Sequence, residues 1–211
     1  MVRVSLQTSQ VIKLMWSEKY RPQIISDMVG NEEPRAAIME WFAKWKKGTK
    51  PLLLVGPPGI GKTTMAYLVA KQFGYDMIGL NASDVRSKSR INEILTPVLG
   101  NVSVLGIPMI FVDEVDGIHG RGDYGGAAAL VDILKEPTVP IVLAANDDSL
   151  EKMKNIKKVV KTISFKRIPP RLLRVYLENI LKKESVKLSP GSLIKVIDKS
   201  RGDIRSMINL T

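Results

Sequence analysis

The sequence predicts an α/β fold, in which a parallel β-sheet is covered by helices on both faces and is followed by a smaller all-helical part. Short apolar runs alternate with helical patterns up to about Arg167, and beyond it only helical patterns remain. Apolar runs bounded by turn residues are typical of strands that are buried on both faces. Their alternation with helices indicates parallel strand pairing.

The composition is that of a globular protein of moderate size. The chain has 211 residues, of which 45% are hydrophobic and 25% charged, enough for one α/β domain and a smaller piece. It has no cysteine, which excludes disulfides and suits a reducing intracellular setting. Residues 1–14 lack the apolar block of a signal peptide, and no apolar stretch approaches the roughly 20 residues of a membrane-spanning helix. We therefore expect an intracellular protein with no membrane partner.

The charge balance is strongly basic. The formal net charge is +11 and the sequence pI is about 9.8. A polyanion such as nucleic acid is one explanation, because binding it neutralises phosphates and releases counterions. A lysine-rich surface like those of thermophilic proteins is another, and the charge alone leaves both open.

The segment before the first strand contains few signals. Residues 1–14 carry no motif and are treated as an N-terminal extension. Asn31 is a good N-cap residue for a helix over about 32–47, which Gly48 would close. The apolar stripe on that helix is typical of core packing, and its members are Ala37, Ile38, Trp41, Phe42 and Trp45.

The central motif follows the first buried strand, at 52–55. Gly56, four further residues, Gly61, Lys62 and Thr63 have the spacing of a phosphate-binding loop. Glycines let backbone N–H groups turn towards phosphate oxygens, and the helix that follows directs its free N–H groups at the same anion. Lys62 can reach the β- and γ-phosphates, and the Thr63 hydroxyl can ligate Mg²⁺. The sequence therefore predicts nucleotide binding.

The elements after the loop follow the same alternation. A helix continues to Phe73 with Gly74 as its C-cap. Buried strands are predicted at 76–80, 109–112 and 140–145, and helices through Ile91 and Leu95 and over about 127–135. Three more helical patterns follow: one with an apolar face at 172–181, one starting at Ser189-Pro190 and one starting at Gly202-Asp203. The chain ends within the third pattern, so we expect a longer protein to continue it.

Four polar residues outside the loop are candidates for catalysis. Asp113 and Glu114 follow a buried strand, at the end where ligands bind to open α/β sheets. Asp113 can hold Mg²⁺, and Glu114 can orient and deprotonate an attacking water. Asn146 ends the next strand and can position the same water, although such a residue is often only part of a turn. Arg205 can reach the γ-phosphate if the helical part closes, although alone it reads as a surface arginine.

Six sequence boxes occur in one order: WSEKYRP at 16–22, GPPGIGKTT at 56–64, NASD at 81–84, DEVD at 113–116, AAN at 144–146 and GDIR at 202–205. Together they resemble the boxes of replication factor C, the clamp loader of archaea and eukaryotes, within the AAA+ ATPases. The resemblance extends from about Met15 to Thr211. DEVD and the absence of a long preceding domain are most similar to the archaeal large subunit.

The resemblance implies a five-stranded parallel core over 15–167, a helical lid over 168–211 and ATP with Mg²⁺ between them. It implies that Asp113, with Thr63, holds the metal, that Glu114 acts on water, and that Asn146 and Arg205 are the first and second sensors. It also implies a set of residues around the nucleotide: Tyr20, Arg21, Pro22, Val29 and Gly30 at the adenine, with Gly56, Pro57, Pro58, Gly59, Ile60, Gly61, Lys62, Thr63 and Thr64 at the phosphates.

The implied partners are clamp-loader small subunits, a sliding clamp and primer-template DNA. Arg86, Lys88 and Arg90 follow the NASD box and become candidates for sequence-independent contacts with DNA phosphates. A merely solvated basic helix start is the competing interpretation. Such a protein would be cytoplasmic in an archaeon and nuclear in a eukaryote.

One stretch departs from the resemblance. Small subunits of the family carry an arginine after the first sensor strand that reaches a neighbour's ATP site, whereas this chain has NIKKVVKTISF at 155–165. Lys157 and Lys158 lack the bidentate fork of arginine. We expect this subunit to donate no arginine finger, to sit at one end of an open arc and to need a finger from a small subunit.

Two other functions remain open. A different AAA+ DNA-processing ATPase, such as a helicase loader or branch-migration motor, would form a homo-oligomer and supply its own finger. A non-hydrolysing scaffold would use ATP only as a structural ligand, which the presence of Glu114 disfavours. His119, the only histidine, is assigned no role.

Overall fold

The computed structural model describes residues 15–81, 87–89, 91–93, 95, 106–118, 125–149, 151 and 153–211. The strands are β1 (Leu52–Val55), β2 (Tyr75–Asn81), β3 (Ile107–Asp113), β4 (Ile141–Ala145) and β5 (Lys161–Ser164). The α-helices are α1 (Trp16–Lys19), α2 (Glu32–Ala43), α3 (Lys62–Phe73), α4 (Gly126–Lys135), α5 (Met153–Val159), α6 (Pro170–Lys183), α7 (Pro190–Ser200) and α8 (Ile204–Asn209). Short 3-10 turns lie at Ile25–Asp27 and Val115–Gly117, and residues 88, 89, 91–93 and 95 are also helical.

The strands form one parallel five-stranded sheet in the order β2-β3-β4-β1-β5. The predicted α/β fold is confirmed, and the four strands predicted from apolar runs are all present. The apolar pattern did not predict β5, which pairs with the outer side of β1. Only Ile163 of its four residues is buried, so the strand has too little apolar surface to be recognised in the sequence.

Alternate residues of the central strands pack on opposite faces of the sheet. Leu53, Ile110 and Leu143 belong to one buried cluster, which α4 and α5 cover with Leu130, Leu134 and Ile156. Leu52, Leu54, Phe111 and Val142 belong to a second cluster, which α2 and α3 cover with Ile38, Phe42, Met65 and Val69. Because both faces are covered, the strands read as continuous apolar runs rather than as alternating ones.

The helices after β5 have a core of their own. Ile168, Leu173, Leu177, Leu193, Ile197 and Met207 are buried together. Trp16 and Val29, from the segment before α2, pack against this cluster. The N-terminal segment therefore contacts the helices predicted as the lid. Among the helices of the described residues, none is long and apolar enough to cross a membrane.

The predicted start of α2, at about residue 32, is confirmed, whereas its predicted end was wrong. The helix ends at Ala43 rather than near residue 47, and the chain turns where the Lys46 N–H donates to Thr49 Oγ1 and the Gly48 N–H to the Pro137 carbonyl. Asn31 precedes the helix but does not cap it. Its φ is +53°, and its side-chain amide bonds the backbone C=O and N–H of Lys166 instead. Asn31 thus ties α2 to the chain after β5.

Candidate nucleotide-binding and catalytic site

Three adjacent strands bring the predicted site residues to one edge of the sheet. Asp113 is the last residue of β3, Asn146 follows β4 and Gly56 follows β1. These strands are neighbours in the sheet, and the Gly56 N–H donates a 3.2 Å bond to the Ala145 carbonyl. Parallel strands have their carboxyl ends at a common edge, where ligands bind in open α/β sheets.

Lys62 is buried at the centre of this edge, with 7% of its surface exposed. Its Nζ atom donates to Gly56 O at 2.5 Å, Pro57 O at 2.9 Å and Asn146 Oδ1 at 3.0 Å. Burial lowers the pKa of the ammonium, and the surrounding carboxylates of Asp113, Asp116, Glu114 and Asp203 oppose that shift. Lys62 is therefore a buried cation whose partners are neutral oxygens that an anion can replace.

Asp113 connects the loop to the end of β3. Its Oδ2 atom accepts a 2.7 Å hydrogen bond from Thr63 Oγ1, and its Oδ1 atom accepts one of 2.9 Å from the Glu114 N–H. A hydroxyl and a carboxylate held together are ligands of the type that Mg²⁺ prefers. Among the described residues no three acidic or histidine side chains form a metal cluster. The pair thus fits an ion that takes its remaining ligands from phosphate and water.

Glu114 has the geometry of an exposed turn residue. Its φ is +53° and the 3-10 turn Val115–Gly117 begins immediately after it. The turn is linked to the end of β4, because Asp116 Oδ2 accepts a 3.3 Å bond from the Asp147 N–H. Asp116 therefore holds the Asn146-Asp147 turn near Lys62, a contact that the spacing of the motifs did not reveal.

The phosphate-binding loop leads directly into α3. Gly61 has a φ of +97° and immediately precedes the helix, as the motif requires. A Cβ atom there would lie 2.9 Å from Met28 Cε, so the N-terminal segment packs closely on the loop. The first N–H groups of a 12-residue helix point from this end and carry its positive dipole. The loop can therefore surround an anion with N–H groups.

The loop, the sheet edge, the N-terminal segment and the last helix enclose a cleft of about 230 Å³. The predicted residues that line it are Tyr20, Arg21, Pro22, Val29, Pro58, Gly59, Ile60, Gly61, Lys62, Thr63, Thr64, Asp113, Glu114, Asn146 and Arg205. One cleft thus has loop glycines, a buried cation, carboxylates and an arginine on its walls.

Three predicted residues do not line the cleft. The carbonyl oxygens of Gly56 and Pro57 instead accept hydrogen bonds from Lys62 Nζ. A Cβ atom on Gly30 would lie 2.9 Å from Ile168 Cδ1, so this glycine packs against the start of the helical region.

Residues 52–185 match the family described as "ATPase family associated with various cellular activities (AAA)". The chain belongs to this AAA family. It is 42% identical over 199 residues to the replication factor C large subunit of Thermofilum pendens, covering 92% of this chain and 48% of that one. It is 36% identical over 208 residues to the replication factor C large subunit of Archaeoglobus fulgidus, covering 93% and 43%.

The chain thus spans about half the length, or less, of the curated relatives it matches. It is also 35% identical over 225 residues to replication factor C subunit 1 of Saccharomyces cerevisiae, covering 93% of this chain and 26% of the relative. Among solved structures, a RuvB variant of Thermotoga maritima superposes with a TM-score of 0.68 at 18% identity, covering 90% of this chain and 63% of that one. At that identity the likeness supports the AAA fold alone.

Several cleft residues of this AAA domain were not predicted. They are Ser17, Glu18, Asp27, Met28, Tyr176, Ile204 and Ile208. Tyr176 falls within the helical pattern predicted to have an apolar face at 172–181, yet its hydroxyl donates a 2.8 Å hydrogen bond to the Tyr20 carbonyl. Burial raises the pKa of the Tyr176 hydroxyl, with smaller contributions from Asp27 and Tyr20. A tyrosine within an otherwise aliphatic stripe was the available signal, because a buried hydroxyl needs a partner.

A second polar group fastens the N-terminal segment to the end of α6. Glu184 Oε1 accepts a 2.8 Å hydrogen bond from the Tyr20 hydroxyl and an ion-paired bond of 2.5 Å from Lys19 Nζ. The hydrogen bond to Glu184 is the main cause that raises the pKa of Lys19. Tyr20, for which the resemblance implies a place at the adenine, is thus tied to the helical region by both Tyr176 and Glu184.

Of the three residues predicted to contact DNA, Lys88 lies within the described part of the chain, and it does not line the cleft. Lys88 is exposed, and its charge contributes to lowering the pKa of Asp132, for which Lys135 is the main cause. Arg86, Arg90 and His119 lie outside the described residues. Lys157 pairs with Asp148 at 2.7 Å, and Lys158 Nζ lies 3.4 Å from Asn155 Oδ1.

Proposed function

We propose that this chain carries the ATPase site of a sliding-clamp loader's large subunit, which couples ATP binding and hydrolysis to loading of the clamp on primer-template DNA. Membership of the AAA family and identities of 36–42% to replication factor C large subunits over more than nine tenths of the chain support the assignment. The observation that carries the ATPase part is the meeting of Lys62, the Thr63–Asp113 pair and Asn146 at one sheet edge.

Lys62 binds the nucleotide by exchanging partners. In the structure its three hydrogen bonds go to two carbonyls and one amide oxygen. Phosphate oxygens are better partners for a buried ammonium, because a charge-assisted bond is roughly twice as strong as a neutral one. The N–H groups of Gly59, Gly61 and the start of α3 receive the remaining phosphate charge.

Thr63 and Asp113 would hold Mg²⁺, which supplies charge neutralisation for the transferred phosphoryl group. Glu114 is exposed at the cleft and accepts a proton from an attacking water. Asn146 orients that water with its side-chain amide. Arg205, on the opposite wall, stabilises charge on the γ-phosphate.

The site is incomplete without a neighbour. Arg205 serves as the second sensor of this chain's own site and not as its arginine finger. The finger therefore comes from a small subunit. This chain offers no finger in return, because Lys157 and Lys158 occupy the corresponding stretch and Lys157 is already paired with Asp148. A place at one end of an open hetero-oligomeric arc follows.

The cleft lies between two packing units, which supports the division into a core over 15–167 and a lid over 168–211. The lid has its own buried cluster, and it joins the nucleotide site through Tyr176, Ile204, Arg205 and Ile208. Closure of the lid on bound ATP shapes the assembly that opens the clamp, and hydrolysis reverses it.

Steady-state ATP turnover tests the proposal. The full-length chain is measured alone and mixed with clamp-loader small subunits, with primer-template DNA present and Glu114→Gln as the inactive control. Near-silence alone and strong turnover in the mixture, lost in the control, are expected. Equal turnover with and without small subunits would favour a self-sufficient homo-oligomeric ATPase, and turnover untouched by Glu114→Gln would favour an ATP-bound scaffold.

A further inference from the structure

The phosphate-binding loop is in direct contact with the start of α8. The Ile204 N–H donates a 3.1 Å hydrogen bond to the Gly59 carbonyl. Beside that bond, a Cβ atom on Gly59 would lie 1.8 Å from Asp203 Oδ1. The carboxylate of Asp203 therefore fills the space that any side chain at position 59 would need, and the loop glycine is required by the helix as much as by phosphate.

Asp203 is also the N-cap of α8. Its Oδ1 atom accepts a 2.8 Å hydrogen bond from the Ser206 N–H, which satisfies one of the free donors in the first turn. Arg205 is the second residue of the same helix and lines the cleft. One carboxylate thus fixes the first turn that carries the arginine and rests against the loop that is predicted to hold the phosphates.

The chain before Asp203 is held equally closely. The Gly202 carbonyl accepts a 3.2 Å bond from the Ile168 N–H, and a Cβ atom on Gly202 would lie 2.7 Å from Arg167 Cβ. Arg167 Nη1 in turn donates a 2.6 Å bond to the Arg201 carbonyl. The turn before α8 is clamped between the loop and the chain that enters α6, so it has little freedom to swing independently.

We infer that Asp203 is a positioning residue for the ATPase reaction: it seats α8 on the phosphate-binding loop and thereby fixes where Arg205 enters the cleft. The inference rests on the proposed ATPase function. The Gly59–Ile204 bond makes the loop and the lid helix move together, so a change of loop shape on nucleotide binding is passed to the lid through backbone rather than through a mobile side chain.

The test compares variants of the full-length chain assembled with its small subunits. Asp203→Ala removes the cap and the contact with the loop, whereas Asp203→Asn keeps the capping oxygen. Ser189→Ala is the matched control, because Ser189 caps α7 in the same way, through the Ser192 N–H, away from the cleft. Arg205→Ala and the double variant Asp203→Ala/Arg205→Ala show whether Asp203 acts through the arginine.

Asp203→Ala is expected to lower kcat about tenfold or more, since small misplacements of a catalytic group have effects of that size. The affinity for a fluorescent ADP analogue should change less than about twofold, because ADP lacks the γ-phosphate on which Arg205 is proposed to act. Asp203→Asn and Ser189→Ala should retain near wild-type kcat, and adding Asp203→Ala to Arg205→Ala should cost little more. Both alanine cap variants should lower the melting temperature by about 2–4 °C.

Ile204→Pro keeps the inference testable if Asp203→Ala does not fold. Ile204 is the first residue of α8, where proline is tolerated, and Asp203 has the extended φ of −95° and ψ of 112° that suits a residue before proline. The change deletes the N–H that bonds Gly59, so it should reproduce the loss of kcat with the helix content retained.

Three results would count against the inference. The first is an active wild type in which Asp203→Ala has the same kcat as Ser189→Ala. The second is an equal loss of kcat in Asp203→Asn and Asp203→Ala. The third is a double variant whose loss of kcat equals the combined losses of Asp203→Ala and Arg205→Ala. Absence of turnover by the wild-type assembly would overturn the proposed function itself, and that outcome is separate because it does not depend on any variant.

Discussion

Lys62 Nζ donates a 3.0 Å hydrogen bond to Asn146 Oδ1, although the two residues are 84 positions apart in the chain. The bond joins the phosphate-binding loop after β1 to the end of the neighbouring strand β4. Asn146 is therefore in direct contact with the buried cation of the loop. In the proposed mechanism Lys62 exchanges this bond for one to phosphate, which would make the asparagine sensitive to the nucleotide.

Replacing Asn146 should impair hydrolysis more than binding. Asn146→Ala leaves Lys62 with its two carbonyl partners, so we expect a nearly unchanged KM for ATP and a fall in kcat of about a hundredfold, the size typical of losing one oriented polar group. Turnover in the assembled complex measures both constants. Asn155→Ala, an exposed asparagine on α5, is the control and should have no effect.

Asn146→Asp is a stricter test of the same contact. A carboxylate at this position would form an ion pair with buried Lys62 and compete with phosphate for it, so we expect KM to rise by about tenfold, the equivalent of one charge-assisted bond. An unchanged KM in Asn146→Asp would mean that a carboxylate at position 146 does not compete with phosphate for the Lys62 ammonium.

Removing the Thr63 hydroxyl should weaken the response to Mg²⁺. Thr63 Oγ1 lies 2.7 Å from Asp113 Oδ2, and its loss removes one proposed ligand while Asp113 remains. We expect Thr63→Ala to need at least about tenfold more Mg²⁺ for half-maximal turnover. Thr63→Ser, which keeps the hydroxyl, should behave like wild type. Thr162→Ala on exposed β5 should leave the Mg²⁺ dependence unaltered. An equal shift of the Mg²⁺ dependence in Thr63→Ala and Thr162→Ala would instead indicate a general loss of stability.

Tyr176 should make stability depend on pH in the alkaline range. Burial raises its pKa above the ordinary value of 10.0, so the folded chain keeps the phenolic proton after the unfolded chain has begun to lose it. The stabilisation is complete below pH 10 and is lost as the pH rises through the folded pKa. Tyr176→Phe, which also loses the bond to the Tyr20 carbonyl, should be less stable by about 1 kcal/mol below pH 10.

Urea unfolding of wild type and Tyr176→Phe between pH 7 and pH 11 measures this difference, which should shrink above pH 10. Tyr67→Phe is the control, because Tyr67 is 45% exposed on α3. A stability difference that stays constant with pH would mean that the Tyr176 hydroxyl does not titrate differently in the folded chain.

The parts of the site that could be predicted are those with local signals. The loop at 56–64 has its glycines, lysine and threonine within nine consecutive positions, and Asp113 and Asn146 each follow a strongly apolar strand. Each signal is complete within a few residues. Because parallel strands end at a common edge, recognising the strands was sufficient to predict that the three groups meet.

The parts that could not be predicted depend on contacts between distant segments. Asn31 looks like a helix cap, yet its amide bonds Lys166, which is 135 positions away. Trp45 continues the helical stripe of α2, yet it packs against the core from a turn beyond the helix end. Tyr176 reaches the cleft, and Asp203 reaches the loop, only because the helical region packs against the loop and the N-terminal segment. No short sequence window contains that information.

The basic residues after the NASD box should contribute to DNA binding through phosphates. Lys88 is exposed. The test variant replaces it, together with Arg86 and Arg90, by alanine. We expect weaker binding to primer-template DNA and a slope of log K against log[salt] reduced by about 0.9 for each duplex phosphate that the variant no longer neutralises. Fluorescence anisotropy at several salt concentrations measures the slope. Lys195→Ala/Lys199→Ala on exposed positions of α7 is the control, and an equal change there would mean that only overall charge matters.

Lys157 and Lys158 should be dispensable for hydrolysis at every site of the assembly. Lys157 is engaged by Asp148 at 2.7 Å and Lys158 lies 3.4 Å from Asn155, and neither has the planar fork that stabilises a transferring phosphoryl group. We expect Lys157→Ala/Lys158→Ala to keep the turnover of the complex within about twofold and to cost at most about 1 kcal/mol of stability, as for exposed ion pairs. Removing a true arginine finger lowers kcat by about a thousandfold or more. A loss of that size at a neighbour's site would show that this subunit does complete another active site, and the place at the end of an open arc would have to be abandoned.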